Sequence, residues 1–145
     1  MKGFPDLPPF WALGMAITAW LLARFLPLWR FDLAVPGQVF FWAGLGIIFW
    51  SAYWFWAKKT PIEPNHRPRA LIVEGPYRLN RNPIYTGLVG VVLGYALGLG
   101  ALSALLPVAF LPFILTARFI RREEAELRAA FGAEAERYMA ATRRW

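Results

Sequence analysis

From Asn82 to Ala117 the chain runs for 36 residues without a formal charge. As a single helix that stretch would be about 54 Å long, against a bilayer core of about 30 Å. Two short helices joined by a tight turn fit instead, and Gly98, Gly100 and Ser103 are the residues for the turn. The spacing therefore predicts a helical hairpin, with one span over roughly 84–98 and the next over 102–117, the second bent by Pro107 and Pro112. Leu7 to Ala23 and Leu33 to Ala57 are also free of charge. They predict two earlier spans, at about 9–29 and 36–57, with Arg24 reaching back to the headgroups from the end of the first. The second ends in Tyr53, Trp54, Phe55 and Trp56 followed by Lys58 and Lys59, the order of an interfacial anchor.

The expectation is an all-α integral membrane protein of about four transmembrane helices, a single membrane domain over 1–145. A loop at 58–83 and a tail helix at 118–145, lying against the interface, complete it. Composition agrees: 58% of residues are hydrophobic and 17% charged, with eight Trp and twelve Phe. The apolar run behind Lys2, Pro5 and Asp6 has no small-residue cleavage site with a polar chain after it, so it reads as a retained span and not a signal peptide.

The net charge of +7 sits in two blocks. One holds Lys58, Lys59, Arg67, Arg69, Arg78 and Arg81; the other begins at Arg118 and runs to Arg144. Basic loops stay inside, so both blocks and both termini are expected on the cytoplasmic side, as an even number of spans requires. Basic residues placed this way serve topology, and no soluble basic face for nucleic acid is visible. There is no cysteine, and the single histidine, His66, lies in a proline-rich loop with nothing to pair with, so no metal site is expected. It reads as a solvated loop residue.

Gly90, Gly94 and Gly98, with Gly87 nearby, make a small-residue stripe on the third span. Such a stripe either packs closely on another helix or leaves a slot for a ligand. Two polar clusters face the cytoplasm. In the first, Gly75-Pro76-Tyr77 leads to Arg81-Asn82-Pro83-Ile84-Tyr85, which places Arg81, Asn82 and Tyr85 at a helix N-terminus suited to an anion. A basic stop segment with an N-cap asparagine explains the same residues. In the second, Glu123 and Glu124 follow the fourth span by about one turn. They suit a cationic ligand, or they pair with Arg118, Arg121, Arg122 and Arg128 on a solvated face. Glu124 and Arg128 also stand at the spacing of a helix-supporting pair.

Taken in order, Gly75-Pro76-Tyr77, Arg81-Asn82-Pro83-Ile84-Tyr85-Thr86-Gly87, Glu123-Glu124, Leu127, Phe131-Gly132, Tyr138 and Arg144-Trp145 resemble the membrane-embedded isoprenylcysteine carboxyl methyltransferase and phospholipid methyltransferase group. The resemblance covers about the last half of the chain. It implies S-adenosylmethionine as methyl donor, held by Tyr77, Arg81, Asn82, Pro83 and Tyr85 from one side and by Glu123 and Glu124 from the other. Arg81 would orient the reacting end of the acceptor, and the space by Gly87 and Gly90 would pass its apolar part. The acceptor would be lipid-like or prenylated and would enter from the bilayer. Carboxyl methylation of a prenylated cysteine is the nearest activity, phosphatidylethanolamine N-methylation or thiol methylation the alternatives, and a four-helix scaffold the rival of another class. Asn82 departs from the pattern, since the best-known members carry histidine there. Asparagine can hydrogen-bond but cannot titrate, which suits a positioning role.

Overall fold

The computed structural model describes residues 6–62 and 68–145. Lys2, Pro5, His66 and Arg67, to which the sequence reading gave places, lie outside them. Among the described residues there is no strand; the chain is a succession of helices. Two of them, Ala34–Ala57 and Leu102–Phe131, are long and apolar enough to cross a membrane.

Helix α1 runs Pro8–Phe25, opened by proline in its first turn, where the missing N–H costs nothing. It stops short of the expected end at 29. Leu26 to Trp29 leave the helix because that stretch pairs with the next turn along: Leu102 donates its N–H to the carbonyls of Leu28 (2.9 Å) and Trp29 (3.1 Å). Helix α2 is Ala34–Ala57, and α3 is Pro83–Leu99. Gly100 ends α3 in the left-handed region at φ 66°, and a Cβ there would lie 2.6 Å from the Phe31 carbonyl oxygen. The hairpin turn expected at this point is therefore fixed by one glycine, with the short helical turn Leu102–Ala104 after it.

Helix α4, Leu105–Leu115, does not end with its apolar stretch. It passes through a π-helical turn, Thr116–Ile120, into α5, Arg121–Phe131. Pro112 lies inside α4, while Pro107 falls in its first turn. The run 102–131 would measure about 45 Å, so its charged end from Arg118 onward projects past a bilayer core of about 30 Å. Gly132, at φ 50°, breaks the path before α6, Ala133–Ala141. The expected tail helix stops there: residues 142–145 are not helical, since Arg143 and Arg144 turn back to pair with residues 81 and 82.

Packing follows side-chain size. Helix α1 sets Ala12, Ala19 and Ala23 against α3 and α4, where Val92, Ala96, Val108, Leu111 and Leu115 complete the core. Helix α2 touches mainly α3, and does so through glycine. A Cβ on Gly94 would stand 2.4 Å from the Phe41 nitrogen, and one on Gly44 would stand 2.6 Å from the Gly87 carbonyl oxygen. The backbones meet directly, as small residues permit in apolar surroundings. Large side chains instead point outward, among them Trp20, Trp42, Phe49, Phe110 and Phe113. Apolar surface of that extent calls for lipid.

Candidate functional site

The end of the bundle where α2 stops and α3 starts carries the polar residues. Its frame begins at Gly75, whose φ of 57° suits glycine, and a Cβ there would fall 2.0 Å from the Trp54 indole nitrogen. The helical turn Gly75–Arg78 then buries Tyr77, whose ring meets Phe55 edge-on at 5.9 Å. Next, Asn80 accepts the Asn82 N–H (2.9 Å) and donates to Thr86 (3.2 Å), making the local turn that aims Arg81 inward. Asn82 is the cap residue of α3 by position, but its side chain does not cap the helix. Its amide donates to the Arg144 carbonyl at 2.9 Å, 62 residues away in sequence.

The returning chain closes this end. Arg81 receives the segment twice: its backbone N–H donates to the Arg143 carbonyl (2.8 Å) and its Nη1 to the Met139 carbonyl (2.5 Å). Tyr138 donates its hydroxyl to the Tyr77 carbonyl (2.7 Å), and Trp145 its indole N–H to Thr116 (3.2 Å). Glu124 is 4% exposed and accepts both arms of Arg144, at 2.9 and 2.7 Å, with Arg81 Nη2 at 3.2 Å. Burial opposes its ionisation, but the Arg144 hydrogen bonds and the charges of Arg81 and Arg144 outweigh it, holding the carboxyl below the usual range. Glu124 and Arg128, paired by spacing, make no direct ion pair, although the Arg128 charge also helps to lower the Glu124 carboxyl. Arg128 bonds Glu136 (2.6 Å), Arg122 bonds Glu126 (3.1 Å), and Arg118 reaches Asp6 (2.8 Å).

Glu123 differs from its neighbour. It accepts the Tyr85 hydroxyl at 2.5 Å and has no cationic partner among the described residues. Burial raises its carboxyl above the usual range, against the Tyr85 hydrogen bond and with help from Glu126. Burial likewise raises Tyr77, with Tyr138 and Glu123 adding to it, and pushes Tyr138 up to about 12.

These groups face one cavity of about 400 Å³, within the range of small-molecule sites. Tyr77, Arg81, Asn82, Tyr85, Glu123 and Glu124 all line it. Pro83 does not; it is fully buried in the first turn of α3. Gly87 and Gly90 are absent from the wall too. The slot expected beside them is filled by α2: a Cβ on Gly87 would meet Ile48 at 2.6 Å, and one on Gly90 would meet the Gly44 Cα at 3.4 Å. Of the two readings of the stripe, close packing is the one the structure has. The apolar wall comes instead from Ile48, Phe55, Ile84 and Leu88, with Leu71 and Ile72 from the loop. Sequence reasoning missed Met139 and the loop residues, which carry no pattern. It quoted Arg144 without a role, although an arginine near a buried glutamate pair was a signal. Arg81 lines the cavity, and its Nε–H is buried without an acceptor among the described residues.

A helical bundle that turns its large apolar side chains outward, with a polar-ended cavity beyond its apolar stretches, defines a helical membrane protein with a small-molecule-sized site. Residues 33–134 match the family model described as phospholipid methyltransferase. The match covers well over half of the chain, and the protein belongs to that family of membrane methyltransferases. No curated protein and no solved structure matches it.

Proposed function

We propose that this protein transfers a methyl group from S-adenosylmethionine to the amine of a lipid headgroup, with phosphatidylethanolamine the nearest acceptor. The chain then crosses the membrane four times and keeps 58–83 and 118–145 on the cytoplasmic side, where the soluble donor is found.

The residues present suit the donor. Arg81 lines the cavity with a guanidinium, the group best suited to a carboxylate. Tyr77 and Phe55 offer aromatic surface to a base. When bound, this cofactor supplies an electrophilic methyl group. The chain's part is to hold both reactants in line and keep water out.

The observation that carries the choice of acceptor is Glu123, facing the cavity without a cation. It would repel the carboxylate of a prenylated cysteine and attract an ammonium. An ammonium must lose a proton before it can attack. Glu123, raised by burial and steadied by Tyr85, is the cavity group fitted to take that proton on its carboxylate. Arg81, held by Met139 and Glu124, keeps the orienting role.

The test is methyl transfer by the purified protein in detergent, with calorimetric titration of S-adenosylhomocysteine alongside. Transfer to phosphatidylethanolamine and not to a prenylcysteine acid is expected. Arg81→Ala should lose product binding, and Glu123→Gln should lose turnover while remaining folded. Transfer to the prenylcysteine acid alone, or full turnover in Glu123→Gln, rejects the reading.

A further inference from the structure

A second cleft opens at the end of α2, against the cavity just described. It is lined by the aromatic residues Phe55 and Trp56 and by two cations, Lys59 and Arg69. The cleft and the cavity share Phe55, Thr60, Pro61 and Pro68, so the two lie side by side.

Three features set this pair apart from an ordinary basic loop. Lys58, next in sequence, is committed to Glu74 by an ion pair, whereas Lys59 and Arg69 have no carboxylate partner among the described residues. The buried Thr60, next after Lys59, accepts the Arg69 backbone N–H at 2.9 Å, which brings the two stretches of chain together across a nine-residue separation. Lys59 also ends α2 at φ 50°, a left-handed conformation that glycine adopts without cost and lysine does not. A lysine kept at a glycine position is a reason to look for what its charge does.

We infer that the Lys59–Arg69 cleft seats the phosphate of the acceptor, resting on the reading of the acceptor as a lipid amine. A phosphodiester bridging the two cations would place its acyl chains along the exposed face of Trp56 and its amine arm toward the shared wall, in the direction of Glu123. Positive groups in the cleft and a negative group in the cavity match a zwitterionic headgroup in one orientation. A phosphate is a natural ligand for paired Lys and Arg, and aromatic side chains at that level hold the glycerol region.

The seat is tested by equilibrium titration of the full chain in neutral detergent, which reads no turnover. The probes are dihexanoyl phosphatidylmethanol, a phosphodiester lipid with no amine, dihexanoylglycerol, which lacks the phosphate, and inorganic phosphate. Wild-type protein should prefer the phospholipid over the glyceride by about tenfold or more. The double variant Lys59→Gly, Arg69→Gln should lose that preference. Lys59→Gly alone should weaken the phospholipid while holding or raising the unfolding temperature, because glycine relaxes the positive φ. Lys59→Arg keeps the charge and should keep the preference. Equal binding of both lipids by wild type, or a preference that survives the double variant, overturns the seat. Inorganic phosphate competing as well as the lipid overturns its assignment to a lipid. Failure to methylate phosphatidylethanolamine would reject the amine reading with the titration result intact, so the two failures are distinguishable.

Discussion

Glu124→Gln is the substitution whose cost the structure lets one work out. The carboxyl is 4% exposed and balances two guanidinium groups, Arg144 through two hydrogen bonds and Arg81 at 3.2 Å. Removing one member of a buried pair costs about 3–5 kcal/mol when the other stays buried and uncompensated. The two arginines differ here. The Arg144 side chain is 39% exposed and can turn to water, whereas that of Arg81 is 13% exposed and held by the Met139 carbonyl. The loss should therefore fall at about 2–3 kcal/mol, or about 5–10 °C in unfolding temperature for a chain of this size. Glu123→Gln should cost under about 1 kcal/mol, since glutamine still accepts the Tyr85 hydroxyl. The assay is thermal unfolding in detergent, with a double-mutant cycle between Glu124→Gln and Arg144→Gln. A coupling of about 1–3 kcal/mol is expected. Equal unfolding temperatures for Glu124→Gln and Glu123→Gln, with coupling near zero, would refute the reasoning and make Glu124 a ligand group with no share in the fold.

Gly94→Val should part α2 from α3, because its Cβ alone would lie 2.4 Å from a backbone nitrogen; a fall in unfolding temperature of more than 5 °C, on the order of 2 kcal/mol, checks it. Asn82→His keeps a donor for the Arg144 carbonyl and should keep methyl transfer, whereas Asn82→Leu should reduce it at least tenfold; activity in both would remove the positioning role. Acid should weaken the protein through Glu124. Its folded value lies below the ordinary glutamate value of 4.5, so its stabilisation is complete above that pH and is lost as pH falls through the lower value. Glu123, with a raised value, acts the other way and favours the folded state while protonated. Unfolding temperature against pH should show a shallower acid limb in Glu124→Gln than in the wild type, the remainder coming from Asp6 and Glu74, whose carboxyls are also lowered.

Much of the architecture was legible because lipid exposure and charge leave simple marks. Uninterrupted apolar stretches gave the helices, and Gly100 the hairpin turn. The end of α1 was misplaced at 29, since apolarity continues past Phe25 and only the pairing of Leu28 and Trp29 with Leu102 ends the helix. The glycine stripe was ambiguous in sequence because packing and a slot demand the same residue; Ile48 and Gly44 on α2 decide it, and nothing on α3 could. The site motifs placed six residues around one cavity, yet spacing could not tell Glu123 from Glu124. Adjacent on a helix, they point in different directions. One meets Tyr85 from α3, the other Arg144 from the returning chain.

That return has a consequence for biosynthesis. Arg81 and Asn82 wait for Met139, Arg143 and Arg144, some 58 to 62 residues later in the chain. Helices α1 to α3, which end at Leu99, are made well before those partners. Until then Arg81 and Glu124 have only each other as ionic partners, without Arg144 or the Met139 carbonyl, and the cavity lacks a wall. Insertion and competence are thus separate events, and a newly made molecule can reside in the membrane for a time without being able to act on it.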